Sequence, residues 1–591
     1  MNSIRNSIAL LLMCVYTMGS AQNTDQVKKK GPEDTYARSS MSYLLLDFEN
    51  EPYADYLRRA INTTSVPSKF DNNNLSKKII KAPYFHSNTT TGKAEKIRRA
   101  LIAENYAIDV IKYWWNIKDD GSYSPSLIQK RGMYNASDFD VEKVDATTVG
   151  RAKLGDAGLN LIGNSYVLVL DYEGIKTMKE IYDAQDAAAR ETAKKNKTEF
   201  VPVKRVKNGF TGKVTTYLFK MNYSDTVQGY FDYAFVDDKS IDLQKLNQVF
   251  DKVYTPLKLI TTESDPVDGT QANPGEFLAP TVQKSEDQLM VKLVNDGIQK
   301  SINSIENRIE AFRVKTPVTN VNPIRAKIGT KESLTHERRY FVWQYTEKND
   351  GNVIAKKKGV IRAKKVVNNK QDELGNTRES SFYQIGGGKI TEGMTLQERK
   401  DLGIGVSAGY GGAGLMLRGD INAGQWVNAP IRQFKLYIEG GIGSKEYDNV
   451  VIPTTINPTF LGDEKFHLGK LSIGILKEYP FARGNFHFGW FVGWTGETVT
   501  WDENESNPNY NADRSDEKLT ASGVNWGAKL GMNLFTPSAQ LAVTFNNHNY
   551  GKVTYAAGLE GVEDVELDEK WSDIFPDRSA FSVDLSLRIN F

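Results

Sequence analysis

The chain has 591 residues, 75 Lys and Arg against 73 Asp and Glu, and a formal net charge of +2. That length exceeds one compact domain of roughly 100–200 residues, and the near balance of charge excludes the strongly basic composition of a nucleic-acid-binding protein. The only cysteine is Cys14, so the rest of the chain has no disulfides, thiolate metal sites or cysteine nucleophile.

At the N-terminus a short positive segment ends at Arg5, an apolar run follows from Ile8 to Met18, and Gly19, Ser20 and Ala21 are small. Residues 1–21 therefore read as a secretory signal peptide cleaved after Ala21. The run is too short to cross a bilayer, which needs about twenty apolar residues. Leu11-Leu12-Met13 lacks the small residue expected before a lipidated cysteine, so Cys14 is read as part of the discarded signal. Residues 22–40 are polar and charged and are expected to be disordered.

Residues 41–335 mix helical and strand periods and read as an α+β region with room for two subdomains. Ile97, Leu101, Ile108, Ile111 and Trp115 recur at helical spacing, which predicts one amphipathic helix over 93–115, interrupted on its stripe by Glu104 and Asn105. Gly163 precedes the apolar strand Tyr166–Leu170. A phosphate cradle needs strand, glycine loop and then helix, so Gly163 is read as a turn residue. Residues 175–195 read as helical, and 200–221 as a hairpin around Lys207-Asn208-Gly209. Ser285 can cap a long helix through Leu289, Leu293, Ile298, Ile302, Ile305 and Ile309, whose narrow stripe is expected to pack within the chain. Residues 336–396 return to strand periods at 340–346, 353–367 and 381–385 and read as a small β-domain. Its basic stretch, Lys356 to Lys370, is read as a solvated sheet face, with no nucleic acid as partner. Ile390-Thr-Glu-Gly-Met394 resembles the closing turn of small β-barrel modules.

Residues 401–591 carry eight alternating segments, the smallest usual barrel. Phe486, Phe488, Trp490, Val492 and Trp494 alternate with His487, Gly489, Gly493, Thr495 and Glu497. Val524, Trp526, Leu530 and Met532 alternate with Asn525, Lys529 and Asn533. The segments 402–410, 415–422, 434–442, 466–479, 539–555 and 581–591 complete the set, and a change of phase between Leu468 and Leu471 predicts a bulge or a bend. Connections near 480–484 and 536–538 are tight, whereas 445–464, 503–517 and 556–577 are long. The inward set has both signs: Arg418, Asp420, Lys435, Glu439, Glu497, Lys529, Asp584 and Arg588. In so narrow a lumen these are expected to pair and plug it. Tyr410, Trp426, Tyr479, Phe481, Trp501, Tyr550 and Tyr555 fall at strand ends, where interfacial aromatics sit.

The last strand places Phe581, Val583, Leu585, Leu587, Ile589 and Phe591 on one face and Asp584 and Arg588 on the other. It resembles the closing strand of Gram-negative outer-membrane barrels, which ends in Phe. The resemblance implies biogenesis through the barrel-assembly machinery and contact with outer-membrane lipid and lipopolysaccharide. An even strand number with short turns on the inner side then puts the N-terminal region in the periplasm. The fold class expected is multidomain: an α+β periplasmic region followed by a C-terminal eight-stranded antiparallel transmembrane β-barrel. Asp225-Thr226-Val227 resembles the short O-glycosylation acceptor of the Bacteroidota, whose secreted proteins the chain resembles.

No pair of the five histidines has metal-ligand spacing, and H-E-x-x-H, P-loop and G-x-S-x-G patterns are missing. No catalytic residue, cofactor or metal site is expected. His487 beside Glu497 on one inward face is the single pairing that raises a barrel-embedded hydrolase or acyltransferase. The acidic stretches Asp502–Asp516 and Glu560–Glu569 read as solvated loops rather than divalent-cation sites. The function expected is an anchored scaffold whose periplasmic region binds another periplasmic or outer-membrane protein, the alternative being a small channel or transport accessory.

Overall fold

The structure, a computed structural model, describes residues 26–28, 39–48, 51–75, 78–81, 90–124, 126–127, 162–223, 229, 232–237, 240–252, 257–276, 279–309, 312–349, 353–370, 378–399, 401–412, 414–447, 451–452, 459–460, 464–501, 518–534, 537–556, 564–578 and 581–591. The signal segment, Asp225-Thr226-Val227, the acidic stretch 502–517 and most of 22–40 lie outside these. Within 22–40, Gln26–Lys28 departs from the expected disorder and forms a strand antiparallel to Val353–Ala355.

The first unit is an α/β sandwich. Strands β1 (Ser40–Asp47) and β2 (Ser165–Thr177) are parallel, and β2, β3 (Lys207–Met221) and β4 (Leu257–Ala272) run antiparallel. Both faces are covered, which is why Leu44–Leu46 and Val167–Leu170 read as unbroken apolar runs. Helices α1 (Ala54–Thr63) and α5 (Glu286–Arg308) cover one face, packing Leu57, Ile61, Leu293 and Ile302 on Leu45, Leu168 and Leu218. Helices α2 (Thr90–Ala103) and α3 (Tyr106–Trp114) cover the other. The single helix expected over 93–115 is thus two, because Asn105 takes a left-handed φ of 59° between them and asparagine tolerates that region better than most residues. Helix α4 (Met178–Asn196) starts later than expected because β2 continues to Thr177, which caps it in a box with Glu180; Ser285 and Gln288 form the same box on α5. The hairpin at 207–209 is not formed. β3 runs straight through, and Gly209, at φ +107°, is where a Cβ would lie 2.3 Å from the Gly269 carbonyl of β4. The glycine marks a close approach of two strands rather than a turn.

The second unit is a small sheet that begins earlier than 336. Strand β5 (Lys315–Pro317) pairs with β9 (Thr395–Glu398), and β9 pairs with β6 (Arg339–Glu347), followed by β7 (Val353–Lys365) and β8 (Ser380–Gly387). Three-residue strands such as Lys315-Thr-Pro317 are too short to show alternation, so their membership is written in tertiary pairing only. Val314, Tyr340, Val342, Ile361, Phe382 and Leu396 form its core.

The third unit is the barrel, built of β10 (Ile404–Gly411), β11 (Gly414–Asn422), β12 (Phe434–Tyr447), β13 (Glu464–Phe481), β14 (Phe486–Trp501), β15 (Lys518–Asn533), β16 (Ala539–Tyr550) and β17 (Phe581–Asn590). All neighbours are antiparallel, and pairings β10 to β17 and β14 to β15 close it. No bulge breaks β13, whose register with both neighbours is continuous. Phe466 and Leu468 point inward on the same face as Lys470 and Ser472; the apparent phase change arises because the lumen itself turns apolar at that height. Three of the four connections on one end are long, and β10 to β11 on that end is a tight turn. The opposite end, where 401 enters and Phe591 leaves, is called the turn end here.

The outside is apolar. Trp526 and Leu585 are each 54% exposed, whereas Arg588, one face over, is 2% exposed. Each large apolar side chain left in water forgoes about 1.5–3 kcal/mol, so a belt of this kind is built for lipid.

Candidate functional site

The lumen is filled from end to end by side chains at three levels. Nearest the turn end, Glu478 is the hub: Lys435 contacts it closely, Lys529 Nζ donates to it at 2.9 Å, and Arg588 lies 3.6 Å away while also pairing with Asp420. Above it, Arg418 meets Glu439 at 2.6 Å, with its guanidinium 4.5 Å from the Tyr437 ring centroid, and Lys470 reaches Glu439 at 3.4 Å. Asp584 accepts from Asn546 and from the Gly412 N–H at 3.1 Å, and Glu497 pairs with Arg578. Opposite charges in such a place offset part of the penalty of leaving water, while Asp420 Oδ2, Arg578 Nε and Arg588 Nε are buried without a hydrogen bond among the described residues.

At the loop end the fill is apolar. The helical turn α6 (Trp571–Ile574) and Phe575 bring Trp571 and Phe575 onto Phe466, Val499, Leu519 and Tyr550.

At the turn end the small sheet seats on the barrel mouth through a polar junction. Arg362 pairs with Asp401 and donates to Gln425 at 3.0 Å, and Arg339 lies 3.6 Å from Asp401. The Tyr383 hydroxyl donates to Glu337 at 2.7 Å, which also accepts from Asn422 at 3.1 Å. Asn485 exchanges two bonds with the Gly387 backbone, at 2.9 and 3.0 Å. Gly484, at φ +76°, lets the barrel turn approach so closely that a Cβ would lie 2.4 Å from the backbone of Ile385. Burial pushes Arg339 down to about 10 with Asp401 opposing, and burial followed by the Glu337 charge holds Tyr383 well above its ordinary value. Burial also works against the Arg362 charge, but Asp401, Tyr383 and Glu337 outweigh it and its pKa is raised. Between sheet and barrel a cavity of about 30 Å³ remains among Arg362, Asp401, Lys435, His487 and Arg588, room for about one water.

All eight inward residues named from the sequence lie in the lumen, none more than 7% exposed. Phe581, Val583, Leu585 and Phe591 are exposed on the outside and Leu587 and Ile589 half-buried. His487 and Glu497 are not brought together. Ten residues apart on one strand, they stand about 33 Å from each other at 3.3 Å per residue; His487 Nε2 lies 3.2 Å from Asn533 Oδ1, and Glu497 is occupied by Arg578. Sequence reasoning missed Glu478, Lys470 and Arg578. The first two share the even-numbered face of β13, and the misread phase change concealed that face.

The wall is lowest at the β10 to β11 turn, because β11 pairs with β12 only as far as Leu415 and Ile442. There a recess of roughly 980 Å³ runs from Tyr410, Leu415 and Ile442 on the outside to Leu468 and Arg578 inside.

No family model and no curated protein matches the chain. Among solved structures it is similar to a major outer membrane protein from Thermus thermophilus, at 13% identity and a TM-score of 0.22, over 32% of this chain and 98% of that one. It is similar to the N-terminal β-barrel domain of Pseudomonas aeruginosa OprF at 14% identity and a TM-score of 0.18, over 32% and 95% of the respective chains. A third likeness is to the trimer form of OmpT, an outer membrane protein of Vibrio cholerae, at 12% identity and a TM-score of 0.11, over 43% and 98%. The closed wall, apolar outside and charged inside, gives this chain an eight-stranded antiparallel transmembrane β-barrel fold with an α+β N-terminal region.

Proposed function

We propose that the chain is a non-enzymatic outer-membrane anchor whose N-terminal region lies in the periplasm and docks another protein of the envelope. The observation that carries this reading is the filled lumen: buried ion pairs through its length, an apolar plug of Trp571 and Phe575 at one end and the small sheet at the other. A barrel so filled has nothing to conduct, which leaves the N-terminal region to act. The three long connections at the far end support the periplasmic side for that region, since outer-membrane barrels keep short turns inward. Pull-down of the intact protein after crosslinking in cells tests the docking. A defined periplasmic or outer-membrane protein is expected, and recovery of none would end this reading.

A second reading, a transport accessory, is favoured by the recess alone, which joins the lipid-facing wall to Arg578 without using the lumen's length. It predicts uptake of an apolar solute that is lost when Gly412 is replaced by a bulky residue.

A further inference from the structure

The small sheet has one face on its own core and one turned toward the barrel. Arg339, Arg362 and Tyr383 project from the second face into the junction. Cross-strand register carries that face outward: Phe341 follows Arg339 by two residues on β6 and stands opposite Gln397 of β9, while the Arg399 N–H bonds the Arg339 carbonyl. Side chains alternate along a strand, so Arg339, Phe341 and Trp343 share it. A face that seats on the end of a membrane barrel looks at the bilayer wherever it continues past the rim.

Three cations converge there on one ring. Lys357 Nζ lies 4.8 Å from the Phe341 centroid, and the guanidinium carbons of Arg339 and Arg399 each lie 6.0 Å from it. Arg339 has Asp401 at 3.6 Å, but among the described residues no carboxylate is in ion-pair contact with Lys357 or Arg399. The ring attracts each cation weakly and neutralises none of them. Burial, then Arg339 and Arg399, lower the Lys357 pKa, as expected where like charges crowd without an anion. The height of the cluster is also fixed. Arg399 precedes by three residues Leu402, whose N–H bonds the Phe591 carbonyl at the barrel end, and Leu402, Trp426 and Val427 are exposed around it, the composition of a membrane–water boundary.

We propose that Lys357, Arg399 and Arg339, arranged around Phe341, bind the phosphodiester headgroup of an anionic phospholipid in the leaflet at the turn end of the barrel. This rests on the barrel lying in a bilayer and not on which way it faces. It assigns the basic stretch that begins at Lys356 to more than a solvated sheet face: Arg362 locks the sheet to the barrel, and Lys357 meets lipid.

The test is native mass spectrometry of the full-length protein in detergent, offered phosphatidylglycerol and phosphatidylcholine in equal amounts. Preferential retention of phosphatidylglycerol, weakened by salt, is expected. The double variant Lys357→Gln/Arg399→Gln is expected to lose about thirtyfold in apparent affinity, two surface charges' worth. Lys194→Gln/Lys195→Gln, the same charge change on helix α4, is expected to change nothing. Equal retention of both lipids, or a double variant that binds like the unmodified protein, overturns the proposal. Inorganic phosphate binding as tightly as the lipid overturns the lipid assignment. Should the double variant not fold, lipid preference and salt dependence of the unmodified protein decide.

Discussion

Replacing Glu478 with glutamine removes the hub of the lumen and leaves its shape almost unchanged. In the folded barrel Lys435, Lys529 and Arg588 face Glu478 and Asp420, three positive charges against two negative. After Glu478→Gln the balance is three against one, with side chains no more than 5% exposed. Breaking a buried pair while its partner stays charged costs about 3–5 kcal/mol, and here three partners are stranded. An exposed pair supplies the control: Lys445 and Asp577 at the loop end are 49% and 41% exposed, so Asp577→Asn should cost about 0–1 kcal/mol. Urea unfolding of the barrel in detergent, followed by tryptophan fluorescence and by heat-modifiable gel mobility, reads both. Adding Lys529→Met to Glu478→Gln should recover part of the loss, and the double-mutant cycle should give a coupling of about 0.5–3 kcal/mol. If Glu478→Gln costs no more than Asp577→Asn, the lumen is hydrated and the plugged-barrel reasoning fails.

Further outcomes follow from other parts of the molecule. Trp571→Ala at the apolar plug should cost about 3–5 kcal/mol in the same unfolding assay, since Trp571 is fully buried among Phe466, Tyr550 and Phe575; a loss near zero would mean that α6 does not close the loop end. Asp401→Asn deprives Arg362 and Arg339 of their shared carboxylate and should weaken the seat of the small sheet by about 1.5–3 kcal/mol, seen as faster trypsin cleavage after Arg399 with the barrel still intact. Burial pushes Asp171 from 3.8 up to about 6, with Lys93 opposing. A folded pKa above the unfolded one contributes stability that is complete below about pH 4 and lost as pH rises through 6. Protection of β2 amides, corrected for intrinsic exchange, should therefore fall from pH 5 to 7, and Asp171→Asn should flatten that slope; protection that rises over the same window contradicts the assignment.

The barrel was legible because each lipid-facing strand must alternate: Phe581–Phe591 obeys a period of two with no exceptions, and Phe486–Trp494 with one, Phe491, which is buried on the inward face. β13 was misread for a physical reason. Its inward face carries Phe466 and Leu468 beneath Trp571 and Phe575, then Lys470 and Glu478 among the charges, so polarity no longer marks the face. Arg578 lies outside any strand and enters the lumen from the segment after α6, a placement that periodicity does not encode. The long helix at Ser285 was legible through its capping serine and its apolar stripe. Gly209 was read as a turn because glycine signals a positive φ without saying whether the chain reverses there. The short strands that enlarge the small sheet, and the junction of Glu337, Arg362, Tyr383 and Asp401, join residues far apart in the chain and leave no local pattern.

The central claim, an anchor whose N-terminal region stands in the periplasm, is tested most directly by protease access to that region in intact cells and in cells with a permeabilised outer membrane. The account predicts full protection in intact cells and digestion of residues 41–398 after permeabilisation, with the barrel left resistant. Digestion in intact cells would put the region at the cell surface and contradict both the orientation and the docking function drawn from it.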